Sequence, residues 1–199
     1  MMLIELTAVP LAALPVQALK DHLRLGTGFA DDALQDGLVE SYLRAALAAI
    51  EARIGKALLS RSFKLILPDW RDATGQALPV APVSAVTSVT LVDAAGGSSV
   101  VAASRWRLQQ DRHRPRLLAV GSLLPTVPTD GQVEIVFEAG FGAGWAAVPA
   151  DLAQAVLLLA GQYYDTRHDS AGQSGGLPTP VQLLIERWRN VRVLGGGAA

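Results

Sequence analysis

The chain has 199 residues, of which half are apolar and 18% are charged, so a packed core is achievable and extensive disorder is excluded. Its formal charge of −1 argues against a protein whose main function is to bind nucleic-acid phosphates. Because there is no cysteine, disulfides, thiol catalysis and cysteine-ligated zinc or iron–sulfur sites are excluded. The N-terminal stretch lacks the basic region of a signal peptide, and no apolar run reaches the roughly 18 residues that span a bilayer. We therefore expect a protein made in the bacterial cytoplasm, with no membrane partner.

Two helices are predicted in the first part of the chain. A short one covers residues 15–25, and a longer one starts near Asp31 and Asp32, whose carboxylates suit the positive end of a helix. Gly55 stands where a C-cap is expected. The apolar stripe of the second helix is predicted to consist of Leu34, Leu38, Tyr42, Ala45, Ala49 and Ile54.

Between residues 62 and 140 the period changes from helical to alternating. The clearest strands are Ser62 to Leu67, Val83 to Val92 and Gln132 to Glu138, and 93–97 has the composition of a hairpin turn. Shorter strands are predicted at 100–102, 106–109 and 116–120. Because the strands are short, sequential and separated by turns, we expect antiparallel pairing.

Residues 149–164 predict the helix around which the chain is organised. Its main stripe is formed by Leu152, Val156, Leu159 and Tyr163. Leu157 and Leu158 make further faces apolar, so this helix needs partners on several sides. One partner is expected to be the helix that ends at Ile54.

A last helix opens at Thr179-Pro180 and is followed by a glycine-rich end. The predicted fold is α+β and mainly α-helical: a four-helix core from about 15–60 and 148–192, with an inserted antiparallel β-hairpin or small sheet at 62–140. Residues 193–199 are expected to form a flexible tail. We expect a single domain over residues 1–199.

No pattern in the chain indicates catalysis. The glycines of 140–144 follow a strand and precede a helix, but their spacing departs from a dinucleotide fingerprint, so a strand-to-helix turn is expected. Ser174 lies in a polar loop without the partner segments of a serine protease. His22, His113 and His168 are far apart and lack metal-ligand spacing. We expect no enzymatic activity, no cofactor and no metal site.

Two basic clusters carry aromatic residues. The first consists of Arg105, Trp106, Arg107, Arg112, Arg114 and Arg116. It is compatible with a solvated hairpin edge, where charge discourages edge pairing, and with contact to DNA or an acidic partner. The second consists of Arg187, Trp188, Arg189 and Arg192. Tryptophan and arginine are enriched at interface hot spots, so the last helix is a candidate interface as well as a solvated helix end.

Five segments in order resemble the phage head–tail connector family, the adaptor proteins of long-tailed phages and gene transfer agents. They are Asp31-Asp-Ala-Leu with Ala48-Ala-Ile-Glu-Ala-Arg-Ile-Gly-Lys-Ala-Leu58, Pro79-Val-Ala-Pro-Val-Ser-Ala-Val-Thr-Ser-Val, Val136-Phe-Glu-Ala-Gly-Phe-Gly, Val148-Pro-Ala-Asp-Leu-Ala-Gln-Ala-Val-Leu-Leu-Leu and Tyr163-Tyr-Asp-Thr-Arg. The likeness covers roughly residues 20 to 190. The arginine cluster at 105–116 and the glycine-rich tail are not part of it.

The resemblance implies a virion subunit of the head–tail neck. It implies a ring, typically of twelve copies, that binds beneath the portal protein, extends the DNA channel and meets a neck, stopper or tail protein. DNA would pass through without sequence-specific binding. The candidate portal and subunit interface comprises Leu157, Leu158, Leu184, Ile185, Trp188, Arg189 and Arg192. The alternative is a DNA-binding accessory protein of packaging that uses the arginine cluster at 105–116.

Overall fold

A computed structural model describes residues 1–25, 32–167 and 176–189, with only the backbone given for 32–35. The helices in these ranges are α1 (Val16–His22), α2 (Asp32–Ile54), α3 (Ala150–Asp165) and α4 (Thr179–Ile185). The strands are β1 (Met2–Glu5), β2 (Arg61–Leu67), β3 (Gly75–Ala77), β4 (Val83–Val92), β5 (Ser98–Val100), β6 (Trp106–Gln109), β7 (Arg116–Ala119) and β8 (Gln132–Ala139). Asp31, His168, Ser174, Arg192 and the predicted tail lie outside the described residues.

Helix α3 lies at the centre of the helical part, as predicted. Leu152, Val156 and Leu159 are at most 1% exposed, and α3 packs against α1, α2 and α4. The edge of one ring in the Tyr42–Tyr164 pair meets the face of the other, with centroids 6.1 Å apart, which links α2 to the end of α3. The prediction that α3 needs several partners is confirmed.

The buried face of α2 differs from the predicted stripe. The side chains that α2 buries are Val39, Leu43, Ala46, Leu47, Ile50 and Ile54. Leu38 is 41% exposed, Ala45 is also exposed, and Tyr42 and Ala49 are only half-buried. The prediction was therefore right at Ile54 and wrong at Leu38 and Ala45, while Tyr42 and Ala49 pack against the margin of the core. The side chain of Leu34 lies outside the described residues. Gly55 has φ +67°, the left-handed conformation expected of a C-cap glycine.

The β part is built from two antiparallel sheets. One has the order β1-β2-β8-β4-β5 and the other the order β3-β7-β6. In the larger sheet Phe63 pairs with Phe137 and Leu65 with Ile135, and the two phenylalanine rings stack at 5.7 Å. The antiparallel pairing expected from the sequence is confirmed.

The prediction of a mainly helical fold with a four-helix core is wrong. The strands carry a hydrophobic core of their own, in which the inward residues of β2 and β8 meet Leu117 of the smaller sheet and Leu124. Leu65, Ile135 and Leu117 are fully buried. The segment expected to be a small insertion is thus a two-sheet unit that holds one of two separate cores, because sheet packs on sheet. Strands β1 and β3, which the sequence analysis did not predict, complete the sheets.

A buried ion-pair network joins the two parts. Glu51 of α2 accepts hydrogen bonds from the Leu58 backbone N–H (2.6 Å) and from Arg61 Nη1 (2.9 Å). Arg61 Nε also lies 2.9 Å from Glu5 Oε1 of β1. Burial alone would lower the pKa of Arg61, but the hydrogen bonds and charges of Glu51 and Glu5 raise it above its usual value. The guanidinium therefore stays charged at the junction of α2, β1 and β2.

The glycine link between β8 and α3 is a backbone-pairing segment. Gly140 has φ +138°, and a Cβ there would lie 2.4 Å from the Ser60 backbone nitrogen, so only glycine fits. Ser60 N–H donates to the Gly142 carbonyl at 2.8 Å. The strand-to-helix turn expected from the sequence is confirmed, and it positions Phe141 against the last helix.

Candidate assembly surface

The end of the last helix is fixed by Trp188. A 3-10 turn at Glu186–Trp188 continues α4 and leaves this tryptophan 4% exposed. Its indole N–H donates to Asp151 Oδ2 at 2.6 Å, and its ring meets Phe141 edge-on with centroids 5.4 Å apart. The predicted interface residue Trp188 is thus part of the helical core, as is Ile185 at 1% exposure. The exposed surface near it must be formed by other side chains.

Asp151 joins the first turn of α3 to the 3-10 turn that follows α4. Its Oδ1 accepts the Leu152 N–H at 3.0 Å, and its Oδ2 lies 2.7 Å from Arg187 Nε as well as near the indole. Burial would raise the pKa of Asp151, but the hydrogen bonds from Trp188 and Arg187 hold it below its usual value. Since the folded pKa is lowered, the hydrogen bonds to the ionised Asp151 carboxylate stabilise the fold at neutral pH. This stabilisation is lost as the pH falls through the folded pKa.

The two arginine clusters of the sequence meet at Trp188. The guanidinium of Arg112, from the loop between β6 and β7, lies 5.5 Å from the centroid of the indole, and that of Arg187 lies 4.9 Å from it. Both distances are within cation–π range. The β6–β7 loop is therefore docked against the end of the helical part instead of projecting as a solvated hairpin.

The docked loop is held by its backbone. Asp111 accepts hydrogen bonds from the N–H groups of His113 and Arg114 at 2.7 and 2.6 Å, which tightens the turn. Lys56, only 2% exposed, donates from Nζ to the Arg112 carbonyl at 2.7 Å. Burial lowers the pKa of Lys56 to about 8; the charge of Asp111 opposes this effect and that of Arg112 adds to it.

We expect Lys56 to make folding stability rise with pH above neutrality. In the folded chain the ammonium loses its proton near pH 8, whereas the unfolded chain keeps it up to about 10.5. The unfolded state binds more protons between these values, so the free energy of unfolding rises there. Urea denaturation of the wild type and of Lys56→Met at several pH values in this range measures the effect.

The Lys56→Met variant is the matched reference because it keeps the length of the side chain and removes the titrating group. The difference in unfolding free energy between the two proteins should shift in favour of the wild type as the pH rises from 8 to 10.5. A difference that stays constant over this interval would contradict the lowered pKa.

The other members of the first cluster are divided in their roles. Arg105 and Arg107 are exposed on and just before β6, while Trp106 is half-buried and packs on the β core. Arg114 is exposed, and Arg116 pairs with Asp72 at 2.8 Å. Arg112 and Arg116 therefore serve contacts inside the fold.

Next to Trp188 lies an exposed apolar surface on α4. Leu183 is 74% exposed and Leu184 is half-buried. A shallow groove of roughly 510 Å³ is lined by Asp151, Leu183, Leu184, Glu186 and Arg187. Arg189 is exposed and pairs with Glu186 at 3.0 Å. Sequence reasoning named Leu184 and Arg189 but missed Leu183, which is the most exposed apolar residue of this helix.

Leu157 and Leu158 of α3 are half-buried and pack against the helical core.

Within the described ranges, no group of three or more histidine, aspartate or glutamate side chains is placed to hold a metal ion. The described helices include none that is both long and apolar enough to cross a membrane.

The chain is similar to solved structures of gene transfer agent particles. One, described as the neck of an empty particle computed with C6 symmetry, is 60% identical with a TM-score of 0.90. A second, the virion of a native particle, is 60% identical with a TM-score of 0.86, and a third, the neck of a native particle computed with C12 symmetry, is 56% identical with a TM-score of 0.85. Each match covers 98% of this chain and 99% of the other. No protein-family model and no curated protein matches the sequence.

Identity at this level over the whole length defines the class of the protein as a virion structural component. The chain belongs to the family of gene transfer agent neck proteins, and its location is the neck of the virion.

Proposed function

We propose that the chain is a head–tail adaptor, the connector subunit that forms a ring beneath the portal and joins the capsid to the neck and tail. The observation that carries this proposal is the near-complete match to neck structures computed with six-fold and twelve-fold symmetry. Twelve copies satisfy both symmetries with one kind of subunit. Such a ring closes when a single heterologous contact is repeated by rotation.

The ring extends the DNA channel and has no enzymatic activity. Its partners are the portal, its own neighbouring copies and the next neck, stopper or tail protein. DNA passes through without sequence-specific binding. The formal charge of −1 and the internal contacts of Arg112 and Arg116 favour this role over a packaging accessory protein that grips DNA through the arginine cluster.

The direct test is assembly of the purified chain with the portal of its own particle. Mass measurement and electron-microscope images of the chain alone, of the portal alone and of the mixture should reveal a twelve-fold ring, alone or seated on the portal. Chains that stay monomeric and leave the portal bare in the mixture would contradict the adaptor role.

The surface around Leu183 is our candidate for portal attachment. Because Leu183 is 74% exposed, Leu183→Asp should change the free energy of unfolding by no more than about 0.5 kcal/mol, as is usual for surface sites. The same change places a charge in an apolar contact, so portal binding should be largely lost. Co-sedimentation with the portal and thermal denaturation measure the two effects.

The matched control is Leu38→Asp, which also replaces an exposed leucine of a helix. It adds the same charge on α2, which contributes no residue to the lining of the groove, and should bind the portal normally. Leu157→Asp and Leu158→Asp are less informative for binding because these half-buried side chains also support the core. Normal portal binding by Leu183→Asp would exclude this surface from the interface.

A further inference from the structure

Strand β1 forms an outer edge of the five-stranded sheet. The Leu6 N–H donates to the Ser62 carbonyl on β2 at 2.8 Å, and Leu6 therefore faces the partner strand. Because backbone groups alternate along a strand, Leu3 and Glu5 direct their N–H and C=O groups away from β2. The edge thus offers two residues for pairing with another strand.

The side chains of this edge do not discourage such pairing. Met2 is 52% exposed and Leu3 is 38% exposed, and β1 contains no lysine or proline. Its one charge, on Glu5, is paired with Arg61 at 2.9 Å. Natural proteins usually protect an exposed edge strand with charge, proline or a covering element. An apolar edge without such protection is typical of a surface that is covered in an assembly.

Strand β5, at the opposite edge of the same sheet, is also exposed and unprotected by charge or proline. Strand β5 pairs with the end of β4, and all three of its residues, Ser98, Ser99 and Val100, are exposed, Val100 at 75%. None of them is charged. The sheet therefore ends in two different short edges, of which one carries a single ion-paired charge and the other carries none.

We infer that β1 of one copy adds to the β5 edge of the next copy, so that the sheets of neighbouring subunits join within the ring. This inference rests on the proposed ring. A closed ring needs two different surfaces that meet head to tail, which two unlike edges supply and a two-fold dimer through one edge does not. Successive strands of the five alternate in direction, so β1 and β5 run the same way and the junction is a parallel pair.

Proline at position 3 tests the junction without disturbing β1 itself. The Leu3 N–H points away from β2, so Leu3→Pro removes an outward donor and leaves the β1–β2 hydrogen bonds intact. Leu3→Val keeps the N–H and is the control. We expect Leu3→Pro to fold, as judged by circular dichroism and thermal denaturation, but to lose most of the ring population by mass measurement. Leu3→Val should form rings normally.

Because the natural chain has no cysteine, introduced thiols report the contact directly. Leu3→Cys is combined in turn with cysteine at Ser98, Ser99 or Val100, and assembled protein is oxidised. At least one pair should give a ladder of covalent oligomers on a denaturing gel. The single variants and the pair Leu3→Cys with Gln154→Cys should give no such ladder.

The outcomes separate this inference from the adaptor role. Wild-type chains that form no ring, alone or with the portal, overturn both. Rings that persist in Leu3→Pro with no ladder from any strand pair overturn the sheet junction alone. A Leu3→Pro protein that forms rings but fails to bind the next neck component would assign the edge to that component, and this also overturns the pairing of copies.

Discussion

Replacing Trp188 by alanine should destabilise the protein by about 3–5 kcal/mol, as expected when a large aromatic side chain is removed from a core. The residue is 4% exposed and contacts Phe141, and its indole N–H is the hydrogen-bond donor to Asp151. A loss of this size should lower the melting temperature by roughly 10 °C in a chain of this length. Thermal denaturation of the isolated protein, without its partners, measures it.

The variant Trp188→Phe separates packing from the hydrogen bond. It keeps an aromatic ring beside Arg112 and Phe141 but removes the N–H, and hydrogen bonds to charged groups are worth about 1.5–3 kcal/mol. We therefore expect an intermediate melting temperature. If Trp188→Ala melted within a degree or two of the wild type, the tryptophan would not be an internal anchor, and its place would be at an external interface.

The alternating pattern of the strands was sufficient to predict most of the sheets. Ser62 to Leu67, Val83 to Val92 and Gln132 to Glu138 match β2, β4 and β8 to within one residue at each end. Such a pattern identifies a strand and its buried face but says nothing about how many strands share a core. The β part was therefore taken for an insertion, although its two sheets bury a core of their own.

The orientation of α2 could not be predicted because the helix is rich in alanine. With Ala45, Ala46, Ala48, Ala49 and Ala52, it has more than one apolar face, and the sequence does not show which face meets α3. In the structure the face with Leu43 and Ile50 is buried. The burial of α3 was easier to predict than that of α2, because apolar residues surround most of the helix.

The contacts at Trp188 had no local signal. In the sequence Asp151 is one acid in the first turn of a predicted helix and Arg112 is one member of a basic cluster, so nothing links either residue to Trp188. The contact between Asp151 and Trp188 depends on how the last helix packs on α3, and that of Arg112 depends on how the β6–β7 loop meets the helices. Both are properties of the tertiary fold. Residue composition predicted an interface at the tryptophan and the arginines, but it did not reveal that Trp188 lies in the helical core with Arg112 over its ring.

The second large effect is expected at the buried ion pair. Arg61→Met should destabilise the protein by about 3–5 kcal/mol, because it leaves the carboxylate of Glu51 buried without its partner. The side chains of Arg61 and Glu51 are only 8% and 10% exposed, and their hydrogen bond at 2.9 Å joins α2 to β2. Urea denaturation of the variant and the wild type at neutral pH gives the difference.

The double variant Glu51→Gln/Arg61→Met decides whether this loss comes from the unpaired charge. It removes both charges and keeps a group at position 51 that can accept the Leu58 N–H, so it should recover much of the stability lost in Arg61→Met. Glu5→Gln should cost at most about 1 kcal/mol, since the Glu5 side chain is 42% exposed and solvent screens its pair with Arg61. A double variant as unstable as Arg61→Met would mean that packing of the arginine side chain, and not the buried charge of Glu51, holds α2 to the sheet.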